Sequence, residues 1–138
     1  MSRRDKIHEA VRNALIKDGW TITADPFELE YEDAVLQADL AADRTLAAER
    51  AEEKIVVEIK SFLSRSPLHE LQAAAGQYQM YQMCIESVAP ERLLYLAIGQ
   101  SVWEKLFKMR IAQKFLDRFP MRLLIINLQT EEIVLWKQ

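Results

Sequence analysis

The sequence predicts an α/β fold, a sheet with helices packed on it, and three features of its pattern carry that prediction. An amphipathic helix opens the chain, short alternating strands follow it, and the second half interleaves helical stripes with almost wholly apolar strands. Ile7, Ala10, Val11, Ala14 and Leu15 recur at helical spacing and mark one buried stripe, which Asp18-Gly19 terminates. Trp20 to Thr23 alternates as a strand and Asp25-Pro26 turns the chain. Phe27, Leu29 and Tyr31 then alternate again before a Glu32-Asp33 turn. Val35 to Leu40 and Thr45 to Glu49 read as extended, with Arg50-Ala51-Glu52-Glu53 as a hairpin turn into Lys54 to Ser61. Ser66-Pro67 starts a helix, because serine caps free backbone N–H groups and proline has none to lose at the first helical position. That helix is expected to reach about Ser87, with Leu68, Leu71, Ala75, Tyr78, Gln82 and Ile85 on or near its buried stripe. Leu93 to Ile98 is apolar enough for a strand buried on both faces, and Gly99 breaks it. Trp103, Leu106, Phe107, Ile111 and Phe115 mark one further helix, ended by Pro120. Arg122 to Leu128 and Ile133 to Trp136 form a last hairpin across Gln129 to Glu132, giving the order α-β-β-β-α-β-α-β-β.

A chain of 138 residues, half of them hydrophobic, fits one domain over 1–138 with a substantial core. Its apolar runs are far short of a membrane span and its N-terminus has no signal-peptide apolar region, so a cytoplasmic protein is expected. Cys84 is the only cysteine, which excludes an internal disulfide, and His8 and His69 alone do not make a zinc cluster. The net charge of −3 conceals an uneven distribution. Residues 25 to 53 carry ten acids against Arg44 and Arg50, whereas Lys105, Lys108, Arg110, Lys114, Arg118 and Arg122 face only two acids between 104 and 122. Arg3, Arg4, Lys6, Arg12 and Lys17 make the first helix basic as well. Basic stretches flanking an acidic middle suit a phosphate-facing rim around a metal-binding centre, and solvated helix faces are the ordinary alternative.

The chemistry-bearing constellation centres on Glu58-Ile59-Lys60, which closes the apolar run Ile55-Val56-Val57. Side chains alternate along a strand, so Glu58 and Lys60 point to one face while Ile55, Val57 and Ile59 point to the other. A carboxylate there can hold a hard divalent cation, and the lysine can steady an attacking water or phosphoryl charge. Asp39 lies nineteen residues earlier, at the end of the preceding extended segment, where it can converge with Glu58. Glu49 is the rival second carboxylate and Asp43 a third candidate. Downstream, Glu70, Ala74, Gln77 and Tyr81 fall on one helical face, and the glutamine amide and tyrosine hydroxyl suit orienting a carboxylate or touching a nucleic-acid backbone. His8 sits at the edge of the first helix's stripe, with Glu9 beside it turned to solvent.

A helix, three strands with Asp39 and Glu58-x-Lys60, then a helix with Gln77-x-x-x-Tyr81 and another strand resembles the restriction-endonuclease-like PD-(D/E)xK superfamily over roughly residues 5 to 98. The glutamine motif resembles that of its RecB-like branch. This resemblance implies an α-β-β-β-α-β core with an added C-terminal helix and β-hairpin. Nucleases of this kind often carry a metal-supporting glutamate on the first helix, and His8 occupies the corresponding place. More narrowly, the chain is similar to the XisH family, the fdxN element excision controlling factors of cyanobacteria. The similarity lies in Ala10 to Thr23, Ala38 to Ala41, Ala47 to Arg50, Ile55 to Phe62 and Leu94 to Ile98.

What the resemblance implies is an accessory factor in programmed excision of a DNA element, acting on DNA with a site-specific recombinase and an XisI-like partner. Asp39 and Glu58 would bind Mg²⁺ or Mn²⁺ with Glu49 as helper, Lys60 would stabilise the transition state, and Gln77, Tyr81 and His8 would complete the site. A non-catalytic DNA- or partner-binding module on the same fold is the second reading, and a defence or toxin-like nuclease the third. A homo-oligomer is a further expectation, with Trp136 of the last hairpin as a candidate interface residue.

Overall fold

A computed structural model of the chain describes residues 2–46, 51–62 and 66–138. Its elements are α1 (Arg3–Lys17), β1 (Thr21–Ala24), β2 (Phe27–Tyr31), β3 (Ala34–Ala38), β4 (Leu40–Leu46), β5 (Ala51–Ile59), α2 (Pro67–Val88), β6 (Leu93–Gly99), α3 (Gln100–Phe107), α4 (Arg110–Arg118), β7 (Leu123–Asn127) and β8 (Glu132–Lys137). Both long helices start as their sequences require. The Asp5 N–H donates to the Ser2 hydroxyl at 3.1 Å, and the His69 N–H donates to the Ser66 hydroxyl at 3.2 Å with Pro67 in the first turn. Gly19, at φ +92°, lets the chain leave α1 and enter β1.

The result is a mixed α/β fold around a six-stranded sheet in the order β1-β4-β5-β6-β7-β8. The β1/β4, β4/β5 and β7/β8 pairs are antiparallel, whereas β5/β6 and β6/β7 are parallel. The helix α2 makes the crossover from β5 to β6, and α3 with α4 makes the next one to β7. Side-chain alternation divides the core between the two faces of the sheet. Val56, Leu94, Leu96, Ile98, Leu123 and Ile125 pack with α2, α3 and α4. Ile55, Val57, Tyr95, Ala97, Leu124 and Ile126 pack with Val11, Ala14 and Leu15 of α1. The strands β2 and β3 form a separate two-stranded sheet whose Leu29 and Ala38 join the α2 side.

Three expectations need correction. Five strands, β1 to β5, lie between α1 and α2 where three were expected, because β2 and β3 pair with each other as a separate sheet. The helix expected across Trp103 to Phe115 is two helices, with extended backbone at Met109, so that Leu106 of α3 and Ala112 and Leu116 of α4 all reach the same core. Glu52 and Glu53 are not turn residues: they pair with Thr45 and Arg44 across the β4/β5 ladder, and the Arg44 guanidinium holds Glu53 at 2.9 Å. Arg50 lies outside the described residues. Trp136 is half-buried and packs against Trp20 and Tyr95 at ring separations of 5.6 and 4.9 Å. No helix among the described residues is long and apolar enough to cross a membrane.

Tyr78 ties α2 to the sheet twice. Its hydroxyl donates to the Leu94 carbonyl at 3.3 Å and accepts the Arg122 N–H at 3.1 Å. Tyr78→Phe removes both bonds while keeping the ring, and is expected to lower stability by about 1–3 kcal/mol. The shift in urea unfolding midpoint measures it; an unchanged midpoint would show that neither bond contributes net stability.

Candidate functional site

The C-terminal end of β5 brings Asp39, Glu58, Lys60 and Tyr81 together. Paired residues of β4 and β5 run up to Leu40 and Val57, and the chain bends at Asp39 between β3 and β4. There the Asp39 carboxylate accepts the Ile59 N–H at 2.7 Å, replacing a backbone partner that β4 no longer offers. On the other side of β5 the Lys60 N–H donates to the Ala97 carbonyl at 3.0 Å, extending the parallel ladder past the strand end. Residues 58 to 60 are thus held from both neighbouring strands. Phe62, at φ +53°, then places its buried ring in the α2-side core.

Glu58 follows the parity of Val56 and points toward α2, leaving it 8% exposed, and it is the one charged residue in the core of the described chain. Its carboxyl is pushed from 4.5 up to about 8, first by burial, then by its hydrogen bond to Asp39 and by the Asp39 charge; the Lys60 ammonium and the Tyr81 hydroxyl pull the other way. Two carboxylates carry only acceptors, so the Glu58–Asp39 hydrogen bond requires a proton between them. Tyr81 donates its hydroxyl to the Gln37 carbonyl at 2.9 Å and lies within hydrogen-bonding reach of Glu58. Burial and the Glu58 charge raise that hydroxyl to about 12, so it remains a donor throughout the neutral range.

His8 reaches the same region from the opposite face of the sheet. It lines a cleft of about 320 Å³ with Ser2, Asp5, Ile7, Asp39, Ile59 and Ser61. Its Nε2 is 2.9 Å from Asp25, which also accepts from Arg12 at 2.5 Å. Asp39 therefore stands between two groups: Glu58, Lys60 and Tyr81 toward α2, and His8 toward α1.

The remaining predicted residues fall elsewhere. Gln77 is exposed, because the buried arc of α2 runs through Leu71, Ala74, Ala75, Tyr78, Tyr81 and Ile85 and ends short of it. Asp43 is four residues up β4, roughly 13 Å from Asp39 at strand spacing, and is engaged by Arg92 at 3.0 Å and Lys54 at 3.5 Å. Glu49 lies outside the described residues. Among the described residues no three histidine, cysteine, aspartate or glutamate side chains gather as a metal cage. Sequence reasoning missed Asp25, which reads only as a turn residue, and Gln37, whose contribution is a backbone carbonyl.

The fold and its buried Glu58 against Asp39 define a mixed α/β protein with an acidic site at the end of β5. Comparison makes the assignment specific. The profile of the XisH family, described as XisH protein, matches residues 1–134, and the chain belongs to that family. The crystal structure of an XisH family protein from Nostoc punctiforme is similar with a TM-score of 0.87 and 34% identity, over 97% of this chain and 100% of that one. A fdxN element excision controlling factor protein from Anabaena variabilis is similar with a TM-score of 0.86 and 34% identity, over 98% and 100% of the two chains. No curated protein matches the chain.

The buried carboxyl makes stability depend on pH. Folded, Glu58 keeps its proton up to about pH 8; unfolded, it loses it near 4.5. Its contribution is fully present below the lower value and is lost as pH rises through the upper one, a loss on the order of a few kcal/mol. Glu58→Gln is neutral throughout and is expected to flatten the fall in urea midpoint between about pH 5 and about pH 8.5. Equal slopes for the two proteins would exclude a raised Glu58.

Proposed function

We propose that this chain is a DNA-acting accessory factor of element excision with a Mg²⁺- or Mn²⁺-dependent phosphodiester site at Asp39, Glu58 and Lys60, on a restriction-endonuclease-like core. The observation that carries the reading is Glu58, a carboxyl buried against Asp39 with Lys60 two residues on. The succession of α1, antiparallel β4 and β5, the α2 crossover and parallel β6 supports the superfamily reading. The name of the Anabaena relative supports the excision role.

The residues fit the ion by their chemistry. Two adjacent carboxyls held by a proton offer hard oxygen donors and a charge that a divalent cation would neutralise in the proton's place. When bound, such an ion supplies charge neutralisation for a phosphodiester and activates water. The chain's own groups do the rest. Lys60 presents positive charge on the Glu58 side of β5, and Tyr81, anchored on Gln37, fixes the orientation of the Glu58 carboxyl. His8 stands where the superfamily carries a glutamate, beside Asp39 in the cleft. Arg3 and Lys6 are exposed on the helical turn that borders this cleft, and Lys105, Lys108, Arg110, Lys114 and Arg118 are exposed on α3, α4 and their junction, all available to phosphates. The proposed setting is the cytoplasm, with DNA, an XisI-like protein and a site-specific recombinase as partners.

Binding without cleavage is the second reading, favoured by His8 being held by Asp25. Purified protein with Mn²⁺ is expected to nick or cut duplex, branched or single-stranded DNA. Lys60→Ala should reduce the rate roughly 10²-fold or more while leaving the circular dichroism spectrum and metal affinity near wild type. Absence of cleavage on all these DNAs, together with no divalent-ion binding by calorimetry, would defeat the enzyme reading; DNA binding retained without either would establish the second.

A further inference from the structure

The outer side of α2 carries a seam that the fold leaves open. Ala73, Gly76, Met80 and Met83 follow one another at spacings of three, four and three residues, continued by His69 and Ser87, and all six are exposed. Met80 is 56% and Met83 53% exposed. This is the spacing of the contact seam in paired helices, and it lies opposite Leu71, Tyr78 and Ile85, which face the core. A Cβ built on Gly76 would meet nothing within 4 Å, so the notch there opens outward. Between Glu70 and Glu86 the helix holds no charged residue, in a chain that is 28% charged.

We propose that a second copy of this chain covers the seam, related by a two-fold axis with the two α2 helices antiparallel. Centred between Gly76 and Met80, that pairing sets Gly76 against Met80 of the second copy, Ala73 against Met83 and His69 against Ser87. Each methionine then fills the space over a glycine or alanine, large into small at every central position. The flanks match as well: Gln77 meets Gln77, Gln79 meets Gln79, and Gln72 reaches Glu86, an amide opposite a carboxylate with no like charges opposed. This self-complementarity in size and charge selects a second copy over an unrelated helix. A single helix pair is at the small end of specific interfaces, so association in the micromolar range is expected. The proposal is independent of the metal chemistry, since Tyr81 and Glu58 lie on the inner side of α2.

Sedimentation of the full chain between about 1 μM and about 300 μM tests it, with the mass expected to rise from 16.1 kDa toward twice that value. Gly76→Leu finds open space in the monomer and improves helix propensity, so its melting temperature should hold or rise. It fills the notch, however, and should weaken dimerisation tenfold or more, as should Met80→Lys. Mixing Gly76→Cys with Met80→Cys under oxidation should give disulfide-linked dimers that neither variant forms alone. A monomer at every concentration would overturn the proposal, and so would a dimer indifferent to both substitutions. Equal cross-linking in the unmixed variants would overturn the antiparallel register.

Discussion

The hydrogen bond from the Ile59 N–H to the Asp39 carboxylate fixes where the central ladder ends, and the acidic site exists because of it. A strand that outlasts its neighbour leaves backbone donors that must find partners. Here the chain bends at the end of β3 and supplies a side chain instead, which places a carboxylate against the last residues of β5. The Lys60 N–H bond to Ala97 anchors the same segment from the parallel side. Glu58 and Lys60 are therefore carried on backbone anchored from both sides, and groups on rigid elements are positioned more tightly than groups on loops.

Much of this architecture was legible in the sequence because it is local. The stripe of α1, the Ser66-Pro67 start of α2 and the doubly buried β6 each follow from spacing or capping chemistry within one element. Glu58, Asp39 and Tyr81 were legible because strand parity and motif order bring them to one end of the sheet. The failures share a different cause. Glu52 and Glu53 look like turn residues until Arg44 and Thr45 are known to lie across from them. Gln77 shares a nominal face with Tyr81, yet a helix rotates about 100° per residue and the sheet covers only the arc that includes Tyr81. Asp25 meets His8 from seventeen residues away, and Arg92 meets Asp43 from another strand connection, contacts that no spacing rule encodes. The break at Met109 depends on two short helices sharing one core, which is a property of the assembled fold.

Glu58 is the position at which the fold works against its own stability. Val56, the preceding residue on that face of β5, is fully buried and apolar, and continuing the pattern with a valine or leucine would add buried surface without desolvating a charge. A carboxyl raised to about 8 by burial and by Asp39 instead stores an unfavourable interaction that the surrounding core offsets. The arrangement is not that of a structural ion pair, because the nearest strong influence is another acid and Lys60 only partly compensates it. Nor is it a solvated surface cluster, since Tyr81 and the α2 face close over it. A pair of acids that shares a proton in this way is costly to bury, and neither core packing nor surface solubility would select it. The stability given up at Glu58 is accounted for if binding there, rather than folding, is what the residue serves.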